Sequence, residues 1–362
     1  MKITNVEPIL IAVPYSHGGP KLERVFGPGD RMGTLLVRID TDAGITGWGE
    51  SFGLSVSPVT QAALAHILAP LCIGRDPEDL PALMAVLRRN TRNAGTSGPV
   101  RYALSGVEIA LWDIAGKIRN VPLHALFGGA KRRRIPAYAS FLNYGSAERL
   151  VPALHAAVER GYTHIKLHEH AVDMVAAARR AAGPAIGLML DTNCAWNLTE
   201  AIAMSRQMEE LDVLWLEEPL YPPTDYAALA ELRRNTSIAV AAGENVGSVE
   251  ELARVAAAGA LDIFQPDAAK IGGLSEMREA IALAQAAGMR VQPHSPFFGP
   301  ALVATLQVLA TLDDAMCERF YCDLAASVLG DAVDVRDGTM RVPDGPGLGI
   351  AVDEDVIERY RV

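Results

Sequence analysis

Cysteine is scarce in this chain. Among 362 residues only Cys72, Cys194, Cys317 and Cys322 are present, and none stands in a C-x-x-C pair. That argues against a disulfide framework or a zinc ribbon and leaves four reduced thiols in apolar runs as the expectation. Positive charge is in deficit too: 33 Lys and Arg face 43 Asp and Glu, for a formal net charge of −10. Nucleic acid is therefore not an expected partner, and an anionic substrate would need local help, such as a divalent cation. No run of about 18 uncharged apolar residues occurs, so no membrane span is expected. The opening stretch, MKITNVEPILIAVP, is interrupted by Glu7 and Pro8 and does not read as a signal peptide, which makes a soluble cytoplasmic protein the expectation.

What the chain does have is apolar residues, half of the total, enough for a large core. Short apolar runs recur between positions 187 and 320, and each ends on a titratable residue: Asp191 in GLMLDTN, Glu217 in LWLEEP, Glu244 in AVAAGEN, Asp267 in DIFQPD, His294 in RVQPHS and Glu318 in AMCERF. One arrives roughly every 25 residues, the length of a strand, a loop and a helix. Parallel strands covered on both faces read as such near-continuous runs. The simplest closure is a (β/α)-barrel, whose C-terminal strand ends gather an active site. Two earlier runs, IPAYASF from about Ile135 and THIKLHE from about Thr163, complete eight strands.

A barrel takes about 200 to 250 residues, leaving about 110 to 160 for a second unit. Residues 1 to about 56 alternate like strands, with Asp42-Ala43-Gly44 as a hairpin turn. From Pro58 to Asn120 the apolar period becomes helical. The expected fold is thus α/β: an N-terminal α+β capping domain at 1–130, a modified (β/α)-barrel at 131–330, and a closing segment at 331–362 that packs on the capping domain. The polar, Gly/Pro-rich stretch Tyr15 to Gly29 is long for a loop in a compact domain and is expected to be functional.

Three carboxylates on consecutive strand ends, Asp191, Glu217 and Glu244, would repel one another in low dielectric unless neutralised. An all-oxygen set of this kind suits a hard cation, and Mg²⁺ leaves positions open for a substrate carboxylate. Asp267 and His294 end the next two strands, and a carboxylate beside an imidazole gives a general acid or base near neutral pH. Glu318 faces the same cavity, either to meet an oxyanion or to hold a neighbour. Lys166 and His168, two apart on the second strand, point the same way. Lys166 is expected to stay charged and to lower the pKa of His168, leaving a neutral base, and also to reach the substrate carboxylate.

The ordered set KxH, DTN, EEP, GEN, PDxxKIGG, PH and CER, with GWGE at Gly47 to Glu50 and ALWDIAGK at Ala110 to Lys117, resembles the enolase superfamily in its mandelate racemase branch. The resemblance spans nearly the whole chain and implies a Mg²⁺-held substrate carboxylate, loss of its α-proton and an enediolate stabilised by the metal and Lys166. It further implies that Asn193 contacts the substrate, with capping of the following helix as the equal alternative, and that the Tyr15 to Gly29 loop closes over the site, with His17, Lys21 and Arg24 as its polar candidates. Many members carry Lys-x-Lys where this chain has Lys166-Leu167-His168. The reading favoured is dehydration of a sugar acid to a 2-keto-3-deoxy acid, with a racemase or epimerase and a lactone cycloisomerase as alternatives. The expected partner is a small carboxylate substrate, in a homo-oligomer.

Overall fold

Strand alternation at the N-terminus builds an antiparallel meander: β1 (Ile3–Ser16), β2 (Arg31–Thr41) and β3 (Thr46–Ser51). The computed structural model describes residues 1–21 and 29–362. The β2–β3 turn closes through Gly44 at φ 74°, a left-handed conformation that glycine takes without strain. A short strand from far along the chain, Asp323–Leu324, extends the sheet by pairing with the end of β1. Helical segments follow at Ser57–Cys72, with a π-helical turn at Leu64–Leu68, then Leu80–Asn90 and Pro99–Arg119. The last lies directly on β3. A Cβ on Gly49 would strike the carbonyl of Gly106, so the glycines of GWGE permit close contact between strand and helix.

The barrel strands are β4 (Arg134–Ser140), β5 (His164–Leu167), β6 (Gly187–Asp191), β7 (Val213–Glu217), β8 (Ala239–Ala242), β9 (Ile263–Phe264), β10 (Arg290–Val291) and β11 (Cys317–Phe320). Parallel pairing runs from β4 through β10, and β11 returns to pair with β4. Among the described residues no ladder joins β10 to β11. Side chains bridge that seam instead: Met316 N–H donates to Gln292 at 2.8 Å and Ser295 N–H to Glu318 at 2.9 Å. Seven helices follow β4 to β10, while the chain after β11 goes into Asp323–Leu324 rather than into an eighth helix. The closing segment divides between the two units. Thr339–Arg341 pairs with the start of β4, and the helix Glu354–Tyr360 leads to a bridge between Arg361 and Ile11.

Within the barrel the two-residue strand period separates two layers. Tyr138, Met189, Trp215, Ala241 and Ile263 form a buried interior floor. Two residues on from Met189 and Trp215, on the same inward face, come Asp191 and Glu217, which pair directly across β6 and β7.

The helices after β9 and β10, Leu274–Ala286 and Pro300–Leu309, both begin after a glycine, Gly273 or Gly299, that has no side chain to cap them. Carboxylates of the N-terminal unit cap them instead. Glu108 accepts from Leu274 N–H at 2.6 Å and Ser275 N–H at 3.0 Å, and Glu50 accepts from Ala301 N–H at 2.9 Å. Burial pushes Glu50 up to about 8, against an ordinary 4.5. The folded protein thus keeps a proton that the unfolded chain releases. Glu50's contribution is fully present below about 4.5 and is lost as pH rises towards about 8. Glu50→Gln, which keeps the shape without the ionisation, is expected to flatten the decline of melting temperature with pH across this window; an unaltered slope would refute it.

Candidate active site

Lys166 is wholly buried, and its ammonium meets three carboxylates: Glu217 at 2.7 Å, Glu318 at 2.8 Å and Asp191 at 3.2 Å. Burial opposes its charge, yet Glu217 and Glu318 hold its pKa well above the ordinary lysine value. An ammonium has three N–H donors. Here they face three carboxylates, so in this structure Lys166 is the counter-ion of the cluster.

The carboxylates of the mouth differ in state. Burial penalises Asp191, but Lys166 and His168 hold it well below the usual range. Glu217 is pushed up to about 7 by burial, with Asp191 and Glu318 adding repulsion, despite Lys166. Glu244 lies two residues past β8, bonded to Lys270 at 3.1 Å and His294 at 2.8 Å, and these bases lower it against burial. Glu318 holds neighbours, taking bonds from Ser140 Oγ at 2.7 Å and Ser295 N–H as well as Lys166, and stays ionised. The buried Glu218 is raised to about 7, first by burial and then by Glu244.

Asp267 Oδ2 and His294 Nδ1 stand 2.7 Å apart, both buried, with His294 Nε2 turned to Glu244. Burial raises the Asp267 carboxyl, while Glu244 and Glu318 raise the imidazole against burial. Across the mouth, His168 turns Nε2 to Asp191 at 3.1 Å and Nδ1 to the Phe141 carbonyl. The expectation of a neutral His168 with a lowered pKa is corrected. Burial and Lys166 do lower it, but the direct Asp191 contact outweighs both and the pKa is raised.

Asn193 is exposed at φ 48° and binds Asp191 through its side-chain amide at 2.6 Å and its backbone N–H at 3.0 Å; Asn197 is the residue that caps the following helix. His17 packs edge-on against Tyr144, just past β4, with ring centroids 5.4 Å apart. Lys21 forms an exposed ion pair with Asp30 at 2.6 Å, apart from the carboxylate cluster. Arg24 lies outside the described residues. The buried Lys270, reaching Glu244 and Asn245, is the functional candidate that residue reading missed. The lysine of PDxxKIGG is visible in the sequence, but not its partners.

Among the described residues no three His, Cys, Asp or Glu side chains are arranged as a ready metal cage, because each carboxylate is turned onto a base. The donor set nevertheless fits a hard dication: Asp191, Glu217 and Glu244 offer oxygen ligands only, and negative charge is gathered in a buried space.

A doubly built enzyme of this kind, with a meander-and-helix cap over a seven-helix barrel and acidic strand ends, has known counterparts. The chain belongs to the enolase superfamily, in the mandelate racemase/muconate lactonizing branch: "Mandelate racemase / muconate lactonizing enzyme, N-terminal domain" matches residues 26–128 and "Enolase C-terminal domain-like" matches residues 149–356. It is 32% identical to the D-galactarolactone cycloisomerase of Agrobacterium fabrum, with 92% of each chain covered. It is 32% identical to the D-galactonate dehydratase of Verminephrobacter eiseniae, with 90% of this chain and 91% of that one covered. A mandelate racemase/muconate lactonizing protein from Paracoccus denitrificans, solved with magnesium, superposes at TM-score 0.89 with 27% identity, covering 100% of this chain and 98% of that one.

Replacing Lys166 by Met strands three buried carboxylates without their shared cation. The expected loss is about 3–5 kcal/mol of unfolding free energy, measured by urea denaturation in EDTA. A variant as stable as the parent would show that the carboxylates are neutralised some other way.

Proposed function

We propose that this protein is a Mg²⁺-dependent sugar-acid dehydratase that converts a polyhydroxy acid to its 2-keto-3-deoxy product. The observation that carries this reading is the buried Asp267–His294 pair at 2.7 Å, facing Lys166 and His168 across a cluster of carboxylates. Asp191, Glu217 and Glu244 are the residues assigned to hold the cation. When bound, the cation supplies positive charge to the substrate carboxylate as its α-proton leaves.

The two histidines are not equivalent. The Nδ1 of His294 faces a carboxylate, whereas that of His168 faces a main-chain carbonyl. A carboxylate partner makes the imidazole the better base, so His294 is assigned removal of the α-proton, with Asp267 fixing its tautomer. Dehydration needs one base and then one acid for the departing hydroxyl. His294 can serve as both in turn, returning the proton on the same face. Asn193, by gripping Asp191, is a positioning residue for the cation set. The cap loop, whose His17 lies on Tyr144, is assigned selection of the distal end of the substrate.

Cycloisomerisation of a sugar lactone is a second reading, supported by the full-length similarity to a D-galactarolactone cycloisomerase. It uses the same single base. Two-base racemisation has less support, because the Nδ1 of His168 meets a main-chain carbonyl and lacks the carboxylate partner that His294 has.

A panel of sugar acids incubated with the enzyme and Mg²⁺ is expected to release a 2-keto-3-deoxy acid from at least one member. EDTA should abolish the release, and His294→Asn should slow it on the order of 100- to 10,000-fold. Silence across a broad acid panel, with turnover of a lactone instead, would replace dehydration by cycloisomerisation.

A further inference from the structure

Lys270 is buried, three residues past Asp267, and lies outside the roles assigned above. Its ammonium bonds Glu244 and Asn245, each at 3.1 Å. On its other side the N-terminal unit supplies two aromatic rings. The ammonium lies 4.6 Å from the Phe52 centroid and 5.9 Å from that of Tyr102, and these rings meet edge to face at 5.1 Å. Phe52 follows directly from β3, and its N–H reaches the Ala269 carbonyl at 3.4 Å. A lysine stem is ordinarily flexible. Here it is gripped at both ends, by the barrel loop that carries it and by rings from the cap that favour a cation over their faces.

We propose that Lys270, caged by Phe52 and Tyr102, is a fixed counter-cation that weakens and so tunes the affinity of the carboxylate cluster for a divalent cation. This rests on the cation site assigned above. Lys166, the other buried ammonium of the cluster, neutralises the far side, Asp191, Glu217 and Glu318, whereas Lys270 is the lysine on Glu244. A dication that uses Glu244 meets a like charge held in low dielectric, where such repulsion is strong. The same charge keeps Glu244 compensated when no dication is present. Lys270 thus lowers affinity and raises the stability of the stripped enzyme, the reverse of what an orienting residue would do. Because its cage belongs to the N-terminal unit, the set point depends on how that unit docks on the barrel.

The test is calorimetric titration of Mg²⁺ into EDTA-stripped full-length protein, for the parent, Lys270→Gln, Lys270→Met and Lys270→Arg, with melting temperatures of each stripped protein. Gln preserves hydrogen bonding without charge, and Arg preserves charge. The expected result is Mg²⁺ binding on the order of tenfold tighter in the Gln and Met variants, with a lower melting temperature before Mg²⁺ is added, and near-parental affinity in the Arg variant. Equal or weaker Mg²⁺ binding in Lys270→Gln, with the parent binding normally, overturns this inference alone. A parent that takes up no Mg²⁺ overturns the cation site and the inference with it.

Discussion

Everything at the mouth of this barrel depends on balancing buried negative charge. Asp191, Glu217, Glu244, Asp267 and Glu318 converge from five strand ends, and carboxylates so placed cannot all ionise without nearby cations. Lys166 carries the largest share. Its three donors meet Glu217, Glu318 and Asp191, and Lys270 and His294 meet Glu244. The compensation has a limit at Glu217, where burial first and then the repulsion of Asp191 and Glu318 raise the carboxyl to about 7 despite Lys166. In this arrangement each carboxylate that could hold a cation is paired with a base instead, so any cation has to compete with Lys166, Lys270 and the two histidines.

The N-terminal unit contributes more to the barrel than a cover. Glu108 and Glu50 reach across to the bare N-termini of the helices after β9 and β10, the strands that lead into Asp267 and His294. Glycine at both helix starts removes the local cap and leaves room for one from elsewhere: a Cβ at Gly273 or Gly299 would crowd the very carboxylates that do the capping. Phe52 and Tyr102 add the cage around Lys270. The Asp267–His294 side of the mouth is therefore held from both units, and a displaced N-terminal unit would loosen that pair and the Glu244 side together.

Much of this was legible in the chain. Eight apolar runs at a steady interval describe a barrel because strand length and helix length are local properties, and a two-residue period determines which side chain faces inward. Asp191, Glu217 and Glu318 were readable for that reason, as was the change from strand to helix period near Pro58, whereas Glu244, Asp267 and His294 lie two or three residues past the ends of their strands. The hairpin at Gly44 followed from turn chemistry alone. The pairings were not legible. Glu108 reaches Leu274 across 166 positions and Glu50 reaches Ala301 across 251, and no local pattern marks either.

By itself the sequence determined which elements form, their order, and which titratable side chains end the barrel strands, since these follow from short-range periodicity and propensity. Only the tertiary structure decided what each charge does. Lys166 became the counter-ion of the cluster because three carboxylates surround it. His168 gained a raised pKa rather than a lowered one because Asp191 stands 3.1 Å from it. Lys270 emerged as a partner of Glu244 because the cap folds back over it. Electrostatic energy falls with distance in space and is amplified by burial, and neither quantity is written along a chain.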